Sequence, residues 1–405
     1  MSDSFTDEVP PIHRLPDDIL QCIFLLNNID GDDEDEDWNY DTVDSIISSS
    51  QVCKRWRTAA LQNRMVWLRF IDWIYSPVTW IEELLRRSDP CPFDFGDFHC
   101  GKTVDLSDRV REEEGDVLTL IFAHNTRLHT FCLVTTFSGF RSMVSPLFSC
   151  PVPILECLDV CIHDEGEVPD IPSYDFHPPL LRHLRIHQLT FNVTPKPILR
   201  SLLTLSVTQG WERRIGSYTI TEWLGILADM PALQHLVIER AIVQDTLIPS
   251  EALYTVHLDH LERLKVRGPF HETMTLLSCL KLPRRCSFDF TMSSAVSGSD
   301  ERILATFLEH NISSWEKDPT FRVLVVEYSN ISITLANNCD VLRRKCVSAA
   351  KSDPLFHIKL YPRTAQDSLS LFLSIFPTFS PHFPDDKSPR YNVPSQSQPE
   401  RENLS

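Results

Sequence analysis

A short apolar motif recurs through this chain: an apolar residue, two open positions, a second apolar residue, one open position and a third. It stands at Leu128/Phe131/Leu133, Leu155/Leu158/Val160, Leu181/Leu184/Ile186, Leu202/Leu205/Val207, Leu233/Leu236/Ile238 and Leu261/Leu264/Val266. A weaker copy ends in Cys286 and Phe288, and two later ones read Phe321/Leu324/Val326 and Leu355/Ile358/Leu360. The last two positions of each copy are two residues apart, so in a strand both side chains point to one face. The first position then packs where the chain turns into the strand. So short a strand cannot bury its apolar face alone, whereas stacked copies bury one continuous core. The motif therefore constrains the chain to a series of aligned strands joined by returns.

The motif resembles leucine-rich repeats. Intervals between the first six copies run from 21 to 31 residues, and the usual Asn after the last apolar position is absent. The resemblance thus implies an irregular α/β solenoid, with Asp300 to Asn311 and Asn337 to Ala350 reading as helices between strands. The alternative is an ordinary α/β domain that happens to have short Leu-rich strands. In either case alternation places His183, Arg185 and His187 of the third copy, and Arg263, Lys265 and Arg267 of the sixth, on the face away from the core. With strands about 4.8 Å apart and in sequence order, these two basic rows are expected about 14 Å from each other. Thr204, Ser206, His235 and Glu239 would lie between them. Arg pairs bidentately with phosphate, so these six residues are candidate contacts for an acidic or phosphorylated protein substrate.

Residues 12–73 read as a small all-α bundle. Pro16 occupies an expected first helical position, and Asp17 and Asp18 follow where acidic groups favour the helix dipole. Ile19, Leu20, Ile23, Phe24 and Leu26 then recur at three- and four-residue spacing over an arc wide enough to bury more than one surface. Seven of the eight residues from Asp30 to Asp37 are acidic, inside an insertion over about 28–42. Charge blocks of this kind repel themselves, and no calcium-loop spacing follows Gly31. Helical spacing resumes at Val43, Ile46 and Ile47. A third segment over Val52 to Leu61 is expected to present Val52, Trp56, Ala59 and Ala60 on one face.

The order Leu15-Pro16-Asp17-Asp18-Ile19-Leu20, Ile23-Phe24, Val52-Cys53-Lys54-Arg55-Trp56-Arg57 and Trp67 resembles the F-box pattern. That resemblance implies that Leu15, Pro16, Ile19, Leu20, Ile23, Phe24, Val52 and Cys53 bind the small adaptor of an SCF-type ubiquitin ligase and, through it, cullin. An F-box followed by a Trp80-bearing helix and irregular repeats is similar to a large group of fungal F-box proteins. The expected organisation is α/β overall: a flexible start over 1–11, an F-box bundle over 12–73, a linker helix and leucine-rich-repeat-like recognition domain over 74–376, and a disordered Pro- and Ser-rich tail over 377–405.

Lys and Arg total 38 against 56 Asp and Glu, a net charge of -18 that argues against nucleic acid as a partner. The start lacks the basic and apolar parts of a secretory signal, and no run of about 18 apolar residues suggests a membrane span. An intracellular protein, cytoplasmic or nuclear, is expected, with its 12 cysteines reduced. Glycosylation, hydrolase, dinucleotide, P-loop and zincin patterns give no catalytic residue and no cofactor. Cys157, Asp159, Cys161 and His163 have ligand chemistry, but same-face positions on one strand stand about 6 to 7 Å apart, too far to converge on one zinc ion. The expected function is therefore non-enzymatic substrate recruitment. An adaptor-binding scaffold that directs no ubiquitin transfer is the alternative.

Overall fold

The computed structural model of the chain describes residues 14–26, 40–96, 104–105, 114–136, 150–163, 178–189, 200–210, 218–243, 254–283, 286–292, 303, 306–307, 323–327, 331–336 and 356–360. The expected flexible start, nearly all of the acidic insertion, the expected tail and most of the two helices expected after residue 300 lie outside these. The chain is mixed α/β and divides into two compact units: residues 1–164 with 174–179, and residues 165–173 with 180–405. The expected boundary at residue 73 falls inside the first unit.

The first unit begins with helices α1 (Asp17–Leu26), α2 (Tyr40–Ser50), α3 (Lys54–Gln62), α4 (Arg64–Leu68) and α5 (Val78–Ser88). Hydrogen bonding of α1 starts at Pro16, whose carbonyl accepts from the Leu20 N–H at 3.1 Å, so Pro16 precedes the helix that it was expected to open. Leu20, Phe24, Ile46, Trp56, Ala59, Ala60 and Val66 form the core of the bundle. Phe24 meets Trp56 edge to face at 5.8 Å. Buried Asn63 caps α4 by accepting from the Met65 N–H at 3.1 Å, and its amide donates to the Gln21 carbonyl at 3.3 Å. One side chain thus closes one helix and fastens it to another.

Strands β1 (Phe93–Phe95), β2 (Val104–Asp105), β3 (Leu128–Thr135) and β4 (Cys157–Ile162), with helix α6 (Glu114–Ala123), complete this unit. β3 lies between β1 and β4, all parallel. Gly96 has φ +89°, and a Cβ there would lie 2.6 Å from the Cys132 carbonyl oxygen, so only glycine lets the chain leave β1 against β3. Arg127 locks α5 to the start of β3. Its guanidinium donates to the Leu85 carbonyl at 2.9 Å, the Cys91 carbonyl at 2.7 Å and Ser88 Oγ at 2.8 Å, and it lies over the Phe93 ring. A cation at the last carbonyls of a helix also complements its dipole.

The second unit contains β5 (His183–His187), β6 (Thr204–Thr208), β7 (Tyr218–Thr219), α7 (Ile220–Ala228), β8 (His235–Glu239), β9 (Ile242–Val243), β10 (Val256–His257), β11 (Arg263–Gly268), α8 (Phe270–Ser278), β12 (Leu280–Lys281), β13 (Ser287–Met292), β14 (Val323–Glu327), β15 (Ile331–Ala336) and β16 (Phe356–Leu360). Its large sheet has the order β5-β6-β8-β11-β13-β16-β15-β14. Neighbours from β5 to β16 are parallel, whereas β15 runs antiparallel to both β16 and β14. Strand order thus follows the sequence through β13 and then departs from it, because β16 takes the place next to β13. Spacing along a chain cannot encode that exchange.

Register in the parallel part is continuous. Leu184, Leu205, Leu236, Leu264 and Phe288 stand side by side across the strands, as do Ile186, Val207, Ile238, Val266 and Phe290. All are buried, and so are the leading residues Leu181, Leu202, Leu233 and Leu261; Cys286, expected as an inward strand position, is buried just before β13 instead. Burial pushes the Cys286 thiol up to about 12, which keeps it protonated. α7 contributes Trp223, Leu224 and Leu227 to the core, and α8 contributes Phe270, Met274 and Leu277.

Buried side chains satisfy backbone carbonyls at the ends of the strands. Gln209 Nε2 donates to the Leu189 carbonyl at 3.3 Å, and the buried Trp223 indole donates to the Ala241 carbonyl at 2.9 Å. A capping box between Thr219 and Glu222 fixes the start of α7 and so aims Trp223. Replacing Trp223 with Phe retains most of the apolar volume but leaves the carbonyl without this donor. Trp223→Phe is expected to cost about 1–3 kcal/mol, read as a lower denaturation midpoint in chemical unfolding of the second unit.

Candidate functional site

Two surfaces carry the residues singled out from the sequence. The first is on the helices. α1 has a buried side, Leu20 and Phe24, with Ile23 packed partly against the same core, and a second apolar side at Ile19, Cys22 and Leu26, related by three- and four-residue steps. Leu20 and Phe24 have no exposed surface, so both leave the set of candidate docking residues: they hold the bundle together from inside. Ile19 is 43 % exposed, Leu26 58 % and Pro16 exposed, while Leu15, Ile23 and Cys53 are half-buried and pack against the bundle core.

Val52 and Cys53 precede α3, Val52 in a bend and Cys53 in extended backbone. Val52 is 59 % exposed, which corrects its expected place on the buried face of Trp56, Ala59 and Ala60. Ile47, at 40 % exposure, and Leu26 were not among the sequence candidates. Their helical spacing was legible, but spacing alone does not say which apolar side of a helix is already covered.

Arg55 brings the two motif segments together. Its Nε and Nη2 donate to Asp17 Oδ1 at 2.8 and 2.6 Å, and Nη2 also donates to the Leu15 carbonyl. The segment before α1 is thereby held against the start of α3, and Lys54 and Arg57 remain exposed. Trp67 packs on Phe70 at 6.2 Å and lies under the Arg87 guanidinium, which ties α4 to α5.

The second surface is the outward face of the parallel sheet. Its register gives three rows: His183, Thr204, His235, Arg263, Ser287; then Arg185, Ser206, Val237, Lys265, Asp289; then His187, Thr208, Glu239, Arg267, Thr291. β6 and β8 separate β5 from β11, so the two basic strands are three strand spacings apart, about 14 Å. The two basic groups share a face and do not converge on one point.

Glu239 changes the charge of this face. It is buried on β8 between β6 and β11, with Lys265 Nζ 2.8 Å from one carboxylate oxygen and Arg267 Nη1 3.7 Å from the other. It therefore compensates part of the cationic row expected to face a ligand. Arg240 follows it in the left-handed region, φ +58°, and its N–H donates to the Arg267 carbonyl at 2.6 Å. Burial, then the neighbouring Arg267, lowers the pKa of Arg240, while Glu239 raises it. Arg240 was not anticipated because a left-handed non-glycine residue gives no sequence signal.

Cys157, Asp159 and Cys161 lie on one face of β4, with His163 just beyond it. Among the described residues no group of three or more His, Cys, Asp or Glu side chains is placed to hold a metal ion, and no helix is long and apolar enough to cross a membrane.

The arrangement around Glu239 makes a stability prediction. Glu239→Gln removes the charge that offsets Lys265 and Arg267, and is expected to destabilise the second unit by about 1–2 kcal/mol at low salt. The loss should shrink as salt rises in denaturation experiments, since both cations are partly solvated. No family model matches this chain, and no curated protein matches it.

Proposed function

We propose that the chain is an F-box substrate receptor, in which the N-terminal helices bind the adaptor of an SCF-type ubiquitin ligase and an irregular leucine-rich-repeat-like solenoid captures a protein substrate. The observation that carries this reading is the second apolar side of α1. Leu20 and Phe24 already fill the bundle, so Ile19 and Leu26, with Val52 and Ile47 nearby in the motif, are left as apolar surface that the bundle itself does not use. Covering such surface yields about 25 cal/mol per Å², and a few central side chains usually dominate a protein interface. The Leu15-Pro16 and Val52-Cys53 pairs occur in the order that the F-box resemblance requires, and Arg55 joins them.

The sheet of the second unit supports the recognition role. Its apolar ladders put a row of polar and basic side chains on the opposite face, suited to an acidic or phosphorylated segment. No chemistry is required of the chain. It raises the effective concentration of a substrate lysine at a ubiquitin-loaded enzyme brought by cullin. Such a receptor works in the cytoplasm or the nucleus.

Ile19→Asp and Val52→Asp each place a charge on the proposed docking surface without touching the core. Either variant is expected to weaken adaptor binding by roughly 30-fold or more, the effect of losing an interface hot spot of about 2 kcal/mol. Thermal unfolding should be nearly unchanged. Undiminished co-purification of the double variant with the adaptor would contradict the proposal.

A further inference from the structure

The Leu15-Pro16 pair lies just outside α1, and its backbone gains little from the helix. The first helical bond runs from the Leu20 N–H to the Pro16 carbonyl, and Pro16 has no N–H to give. The Ile19 N–H would bond the Leu15 carbonyl if the helix began one residue earlier, but it donates to Asp18 Oδ1 at 2.9 Å. The Leu15 carbonyl accepts instead from Arg55 Nη2. The same guanidinium donates to Asp17 Oδ1, through Nε at 2.8 Å and Nη2 at 2.6 Å. Asp17 and Arg55 stand 38 residues apart with the acidic insertion between them in sequence, so the chain itself does not fix how these segments meet. Arg55 belongs to the first turn of α3, two residues after Cys53. One side chain thus joins the start of α1 to the segment that carries Val52 and Cys53, and Leu15 and Cys53 pack against the same core.

We infer that Arg55 is a positioning residue for adaptor binding: through Asp17 and the Leu15 carbonyl it fixes the Leu15-Pro16 turn relative to the Val52-Cys53 segment, so that both are set before the adaptor arrives. The inference rests on the reading of these helices as an adaptor-binding F-box. The planar fork of a guanidinium can serve a carboxylate and a carbonyl together, which a single ammonium does less well. Asp17 is exposed and Arg55 half-buried, so the ion pair itself adds little to folding stability. Its contribution is order. A segment that is loose in the free chain has to be ordered on binding, and that cost subtracts from affinity. Arg55 therefore acts through Leu15 and Pro16, not through a contact of its own.

The test measures binding of purified SCF adaptor to the full chain, with hydrogen exchange and thermal unfolding of each free variant. Arg55→Gln is expected to weaken adaptor binding about fivefold and to speed amide exchange over residues 17–19, with a thermal midpoint close to that of the wild type. Arg55→Lys keeps the charge without the fork and should lose about twofold. Arg57→Gln removes an equal charge from an exposed position of the same helix and should change neither affinity nor exchange. Pro16→Ala is expected to weaken the wild-type chain but to cost Arg55→Gln little more, because the turn is already loose. Additive losses in that pair would reduce Arg55 to a general structural role and overturn the inference, as would an equal loss in Arg57→Gln. Ile19→Asp separates the two readings. If it weakens binding while Arg55→Gln does not, the inference fails and the docking surface stands; a wild-type chain that does not bind the adaptor overturns both.

Discussion

Which residues this protein can offer to others is fixed by the side of each element that is already buried. In the second unit the constraint is register. Leu184, Leu205, Leu236, Leu264 and Phe288 form one buried ladder, and Ile186, Val207, Ile238, Val266 and Phe290 another. A slip of one residue in β11 would drive Lys265 into the core and expose Leu264 and Val266, so the apolar ladders hold the basic row in place. The same logic acts on α1, where burial of Leu20 and Phe24 leaves Ile19 and Leu26 on the surface. A core requirement on one side creates a functional opportunity on the other.

Much of the sheet was legible because its signal is local. The six clear copies and the two late ones each mark a strand, with their last two positions in the strand; the weaker copy ending in Cys286 and Phe288 is out of step, because β13 starts after Cys286 and its inward pair is Phe288 and Phe290. The strand order was legible only while neighbours in sequence remained neighbours in space. β16 pairs with β13, and β15, which carries no copy of the motif, pairs antiparallel with β16, an arrangement decided by long-range pairing. The helical candidates divided for a related reason. An apolar arc covering most of a helix states that two surfaces exist but not which one the bundle uses, so Leu20 and Phe24 were grouped with Ile19 and Val52.

The charged face shows a second limit. Alternation correctly separated Arg263, Lys265 and Arg267 from the core, but their partners come from another strand. Glu239 is 24 residues before Arg263 in sequence, yet register brings it level with Arg267. Arg240 depends on a left-handed backbone that no residue type announces. Cross-strand compensation of this kind turns an apparently uniform basic row into a patterned one, with Glu239 set between Lys265 and Arg267. The proposed receptor then has a division of labour that matches its two units: apolar docking by helices, charge-based capture by a sheet.

The central claim is that the outer apolar side of α1 is a docking surface. Hydrogen exchange of the full chain, with and without a saturating amount of the SCF adaptor, tests it most directly. Added protection is expected over residues 17–26 and around 47–53, with residues 183–187 and 263–268 unchanged. Protection of the sheet with no change in α1, or no protection at all, would contradict it.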